Sequence, residues 1–170
     1  MRTTVVRVTL TRVRLALGLV LFVLTACVDT SPDRVKLVAN IANVQLTVAQ
    51  SSLATSLAGT FDVNLDLGDL AQQEATVSDP PTFQLVTATD RSTLVILDAL
   101  IQGTTFPVKV APGAHATLSY SLNDQKTLAA GDMDKICAGQ VEIAGTLRDT
   151  SNGDRPLAFD SDAVNVSGCP

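Results

Sequence analysis

Acid–base or nucleophilic chemistry needs a group that titrates near neutrality, or a hydroxyl or thiol held beside a base. The chain offers one histidine, His115, three cysteines, Cys27, Cys137 and Cys169, one tyrosine, Tyr120, and no tryptophan. A Ser-His-Asp triad would have to use His115, yet no Gly-x-Ser-x-Gly elbow presents a serine and no Ser-x-x-Lys motif supplies a lysine base. His115 shares parity with Thr117, Ser119 and Ser121, so it reads as an exposed histidine beside a turn. Zinc lacks ligands, because His115 stands alone among the soft donors if the cysteines are otherwise engaged. Neither Gly-x-x-x-x-Gly-Lys-Ser/Thr nor Gly-x-Gly-x-x-Gly occurs, so no nucleotide and no other cofactor is expected.

The chain carries 15 aspartates, and calcium is the metal whose ligands they resemble. Asp62-Val-Asn64-Leu-Asp66-Leu-Gly68 begins like a calcium loop, but its glycine falls one place late and Gln73 stands where a bidentate Glu belongs. Strand alternation explains those residues without a ligand. Asp149, Ser151, Asn152 and Asp154 could converge in a tight loop, which makes Asp149, Asn152 and Asp154 the calcium candidates, although Asn-Gly and Asp are also ordinary hairpin residues. Paired carboxylates for glycoside hydrolysis are not excluded by counting acids. The lack of tryptophan does remove the aromatic platforms on which sugars commonly stack.

Charge divides the chain. Arg2, Arg7, Arg12 and Arg14 lie in the first 14 residues with no acid, and without them 8 cations face 17 acids, a net charge of −9. So acidic a body repels phosphate backbones and anionic headgroups, and no basic run interleaved with aromatics occurs, so nucleic-acid binding is disfavoured. After the arginines comes an apolar run, Leu15 to Leu24, with the length of a secretory core and too short to span a bilayer comfortably.

That run ends in Leu24-Thr25-Ala26-Cys27, which closely resembles the lipobox of bacterial lipoproteins. The resemblance covers the first 27 residues. It implies that the Cys27 thiol receives a diacylglycerol, that the bond after Ala26 is cut, and that the new amine is often acylated as well. Two or three acyl chains anchor stably where one does not, at about 0.8 kcal/mol per buried CH₂. The other account is an ordinary signal peptide or N-terminal anchor with an accidental cysteine. With Val28 after Cys27, the family's sorting rule points to the outer membrane in a Gram-negative cell, and Asp29 weakens that rule. Cys137 and Cys169 are then an even pair in an oxidising compartment, so one disulfide is expected, with two separate thiols as the alternative.

The elements that must position these residues are strands. Phe61, Val63, Leu65 and Leu67 alternate with Asp62, Asn64 and Asp66, as a half-buried strand requires. Phe106, Val108 and Val110, then Pro112-Gly113, then Ala116, Leu118, Tyr120 and Leu122, read as consecutive strands around a turn. Thr82 to Thr87 and Thr93 to Leu97 flank a solvated Asp90-Arg91 turn. Val141, Ile143 and Leu147, a loop at 149–154, and Leu157, Phe159, Val164 and Val166 predict a terminal hairpin carrying the disulfide. The first segment is ambiguous: Leu37, Ile41, Val44 and Val48 fit a helix, while Val44, Leu46 and Val48 fit a strand that valine favours. Asp62, Asp66, Asp160 and Asp162 read as charges that discourage edge-to-edge pairing.

The expectation is an all-β fold, an antiparallel two-sheet sandwich of about eight strands. Phe106-Pro-Val-Lys-Val-Ala-Pro-Gly113 resembles the extracytoplasmic immunoglobulin-like modules of bacteria, over about a dozen residues, and implies a fold without an activity. Residues 1–26 read as a lipoprotein signal peptide, 27–33 as a lipidated cysteine and short tether, and 34–170 as the β-sandwich domain. The expected function is a lipid-anchored, non-catalytic structural or protein-interaction module of the bacterial cell envelope, with the membrane and an envelope protein as partners. A partner's strand could join any sheet edge. The alternatives are an envelope lipoprotein that binds a glycan, peptide or calcium, and a carboxylate-based hydrolase.

Overall fold

A computed structural model describes residues 35–50, 54–122 and 127–170. The arginine-rich first segment, the tetrad ending in Cys27 and residues 28–34, read above as leader, lipobox and tether, lie outside the described residues. The strands are β1 (Leu37–Gln50), β2 (Thr55–Leu67), β3 (Ala75–Val77), β4 (Thr82–Thr87), β5 (Thr93–Leu97), β6 (Ala99–Ile101), β7 (Val108–Val110), β8 (His115–Leu122), β9 (Val141–Arg148) and β10 (Pro156–Asp160), with one α-helix, α1 (Ala130–Cys137). They form antiparallel sheets in the orders β1-β2-β8-β6 and β10-β9-β4-β5, and β3 pairs with β7. Ten strands are therefore described where about eight are expected. The two additional ones, β3 and β6, have three residues each, too few to display a period.

β1 explains its own ambiguity. Leu37 and Ile41 point inward at odd positions, whereas Leu46 and Val48 point inward at even ones, because the register with β2 shifts between Ala42 and Gln45. Asn43 takes up that extra residue at φ 53, a left-handed conformation that asparagine tolerates better than most residues. The bulge changes the parity, and the changed parity imitates a helical repeat. β7 and β8 are consecutive around Pro112-Gly113 but do not pair, since β7 joins β3 while β8 lies between β2 and β6. β2 guards no edge: it is an interior strand, so Asp62 and Asp66 are face residues, while Asp160 on the outer strand β10 and Asp162 just beyond it fit that role.

The two four-stranded sheets share one apolar core. Phe61 and Tyr120 from the first sheet stack with centroids 5.4 Å apart, and Phe83 from the second meets both edge-on at 4.9 and 5.0 Å. Phe159 meets Phe83 edge-on at 6.2 Å. Phe83, Gly145 and Phe159 lie in one cross-strand row, and a Cβ on Gly145 would come within 2.5 Å of the Phe159 ring. Glycine is what lets the two rings close over the strand between them.

Tyr120 is 2% exposed and its hydroxyl has no hydrogen-bond partner among the described residues. Burial pushes its pKa up from 10.0 to about 12. The unfolded chain therefore releases this proton first, so the contribution of the neutral phenol is intact below pH 10 and is lost as pH rises toward 12. Unfolding midpoints in urea should fall over that interval, and phenolate absorbance, which reports Tyr120 alone, should rise in step with unfolding. Tyr120→Phe deletes an unpartnered hydroxyl and is expected to stabilise by about 1 kcal/mol, while abolishing that titration.

Beyond β10 the chain runs alongside β1 as a strap. Ile41 bridges Ser161 and Thr47 bridges Ser167, both in parallel. The Val48 N–H donates to Ser167 O at 2.8 Å, and the Ser167 N–H donates to Leu46 O at 3.0 Å. Gly168 follows at φ 74, with Val48 O so close that no Cβ would fit. A disulfide joins Cys137 to Cys169 at a Cα separation of 5.6 Å. It ties the strap to the end of α1 rather than to the β9–β10 hairpin, because Cys137 precedes β9 in a helix whose inward side chains include Met133, Ile136 and Cys137.

Candidate functional site

The calcium candidates fall in the loop between β9 and β10. Asp149 is completely buried, and its carboxylate caps the 3-10 turn Thr150–Asn152. The N–H groups of Ser151 and Asn152 donate to Oδ1 at 2.8 and 3.1 Å, the Ser151 hydroxyl donates to the same oxygen, and Asn152 Nδ2 donates to Oδ2 at 2.6 Å. Four donors thus surround Asp149, where a cation would need acceptors. Asn152 is half-buried and spends its amide on Asp149 and on Leu37 O, and Asp154 is exposed at φ 56.

The loop clamps its neighbours instead. Leu37 N–H donates to Ser151 Oγ at 2.9 Å, and Thr76 N–H donates to Thr150 Oγ1 at 2.9 Å, so one turn holds the start of β1 and the middle of β3. Asp149→Ala would release four backbone and side-chain donors at once, with an expected loss of about 2–3 kcal/mol in urea unfolding. Millimolar calcium should leave the melting temperature of the native protein unchanged, whereas an occupied site would raise it by mass action.

The outer face of the first sheet carries the other acidic stretch. Asp62 accepts from Ser119 Oγ at 2.7 Å and from Asn43 Nδ2 at 2.8 Å, and Thr117 Oγ1 donates to Asn64 Oδ1 at 2.9 Å. The Asn43 amide and then the Ser119 hydroxyl hold the Asp62 carboxyl below its ordinary pKa. His115 is exposed and lies opposite Asp66 at the mouth of β8, where its parity places it. Asp62 and Asp66 therefore belong to a strand face with cross-strand partners, and they do not curl into a loop with Gln73.

Sequence reasoning missed the main ion network. Arg91, at φ 57 in the β4–β5 turn, pairs with Asp160 at 2.5 Å and with Glu142 at 3.1 Å, which ties that turn to β9 and β10. The hydrogen bond and charge of Asp160, then the charge of Glu142, raise the Arg91 pKa. Asp90 beside it accepts from Thr87 Oγ1, which lowers its pKa, aided by the Ser92 N–H. A run reading Thr-Asp-Arg-Ser is a turn by composition; only the sheet order shows that it faces β9 and β10.

Hollows of about 300 Å³ occur beside Glu74 and Thr150, beside Gln84 and Ala144, and between Lys36 and Leu157, and no pair of carboxylates lines any of them. Among the described residues no three His, Cys, Asp or Glu side chains stand together as a metal cluster. Among those residues, too, no helix is long and apolar enough to cross a membrane. No protein-family model matches the chain, and no curated protein matches it.

Proposed function

We propose that this protein is a lipid-anchored, non-catalytic module of the bacterial cell envelope, built as an immunoglobulin-like two-sheet sandwich. The observation that carries the reading is the order of arginines, apolar run, Leu24-Thr25-Ala26-Cys27 and then, after seven intervening residues, the first described residue, Val35. Acylation of Cys27 would fix the domain to a membrane, and Val28 after it favours the outer one in a Gram-negative cell. The aromatic contacts between the sheets support a sandwich, and the disulfide accords with an oxidising compartment. Asp62 beside an amide and a hydroxyl, and Asp160 beside Arg91, support a structural role over a carboxylate hydrolase.

The full chain expressed in a Gram-negative bacterium fed an alkyne fatty acid tests the anchor. Label on the wild type, its loss in Cys27→Ala and a mature chain beginning at residue 27 are expected. An unlabelled wild-type chain that retains residues 1–26 would refute the reading.

A further inference from the structure

The tether leaves the domain at one pole. The start of β1, the 68–74 loop, the Pro112-Gly113 turn and the 149–155 loop meet there: Gly68 N–H donates to Lys36 O at 3.5 Å, Gly113 N–H donates to Leu67 O at 2.9 Å, and Ser151 holds Leu37. The opposite pole carries Gln50, whose Nε2 reaches Met133 Sδ in α1, and the disulfide. β2 joins the two with 13 residues, about 43 Å.

Two properties distinguish the tether pole. Of the five exposed large apolar side chains among the described residues, Val35, Val38 and Leu70 lie here, at 40%, 38% and 36% exposure. Val35 shares a hollow with Ala71, next to Leu70 in sequence. Charge is also uneven. Lys36, Lys109, Arg148 and Arg155 are four of the six cations among the described residues, and they lie in the stretches 35–36, 66–74, 109–115 and 148–155 with five of the fourteen acids. Everything else has Arg91 and Lys135 against nine acids. The tether pole is therefore close to neutral, 4 − 5 = −1, while the rest carries 2 − 9 = −7, so repulsion from anionic headgroups is concentrated on the far end of the domain.

Resting on the anchor reading above, we propose that this pole is a lipid-docking surface: Leu70 and Val35 seat in the headgroup region of the bilayer that holds Cys27, and the strands stand away from it. The length of chain before the domain selects the occupant. Residues 28–34 span at most about 25 Å when extended and roughly 15 Å as a flexible chain, which keeps the tether pole within that distance of the surface and lets the α1 pole stand farther from it. Lying flat on the first sheet would press Asp62, Asn64 and Asp66 onto lipid, and lying on the second would press Glu142 and Asp160 onto it. The acidic remainder is repelled by an anionic surface, which also favours the upright pose. The disulfide and the strap then face outward, where an envelope partner would find them.

The chain lacks tryptophan, so one introduced tryptophan reports one place. Full-length, lipidated Leu70→Trp and Val35→Trp proteins, and Gln50→Trp at the far pole as control, are reconstituted in phosphatidylethanolamine–phosphatidylglycerol vesicles with brominated acyl chains. Emission from residues 70 and 35 should shift to the blue and be quenched roughly two-fold against unbrominated vesicles, as expected for burial at the headgroup–acyl boundary, with residue 50 unchanged. Protein that floats with vesicles but is unquenched at both 70 and 35 overturns the docking surface and leaves the anchor intact. Equal quenching at residue 50 overturns the upright pose. A mass spectrum without acyl chains on Cys27 overturns the anchor and the docking with it.

Discussion

Truncating Phe83 to alanine is expected to cost about 4 kcal/mol. Phe83 is 4% exposed and its ring touches Phe61 and Tyr120 on the opposite sheet and Phe159 on its own. Removing it deletes the only ring that meets the other three, so the gap lies between the sheets, where neither backbone can close without moving the other. Collapse is further hindered by Gly145, whose missing side chain already lets Phe159 lie close to the strand. Phe83→Leu retains much of the volume and should cost less than half as much. Urea unfolding followed by Tyr120 fluorescence measures both, since no tryptophan competes and Tyr120 sits 5.0 Å from the deleted ring. A loss under about 1.5 kcal/mol for Phe83→Ala would mean that the sheets are held mainly from their ends.

Replacing both Cys137 and Cys169 with serine is the second large effect. The bond closes a loop of 32 residues, for which chain entropy alone gives roughly 3.5 kcal/mol. The native state also changes locally, because the strap loses its pin. Hydrogen exchange separates the two consequences: the amides of Val48 and Ser167, paired across the strap, should lose protection while those between β4 and β9 keep theirs up to the new global stability. Unaltered protection at Val48 and Ser167 would show that their own hydrogen bonds, with the Thr47–Ser167 hydroxyl contact at 2.7 Å, suffice to hold the strap.

What was legible in the sequence follows from range. β2, β4, β5, β8 and β9 announce themselves because alternation is a local property, and β4 and β5 occupy the residues that their pattern marks. The bulge in β1 is local too, but its signal is a change of parity, which a single-period template misreads as a helix. Pairing is not local. Nothing in Phe106 to Leu122 says that β7 turns to β3 while β8 turns to β2, because both strands bury the same kinds of side chain. α1 is short, and its inward residues look like chance.

The loop at 149–154 shows the same limit for a site. Asp, Ser, Asn and Asp at close spacing serve equally as ligands for a cation or as a cap for a turn, and what decides between them is whether donors or acceptors arrive from elsewhere. Here the donors of Leu37 and Thr76 come from 114 and 74 residues away. The disulfide was readable because so few cysteines leave so few pairings, whereas its attachment to a helix was not.

The strap also sets when the domain can be finished. Val48 lies in the first strand and completes its backbone pairing with Ser167, so β1 leaves a ribosome or a secretion channel long before its last neighbour does. Until then β1 offers an unpaired edge on a chain that already holds most of its apolar surface, a state that invites pairing between molecules. Contacts separated by about 120 residues are also slow to form. Completion is thus postponed until residues 161–169 have emerged, and closure of the Cys137–Cys169 bond records that the strap has arrived. A chain shortened before Ser167 would keep its other sheet pairings yet be left with an open first strand, a substrate for quality-control proteases in place of a finished domain.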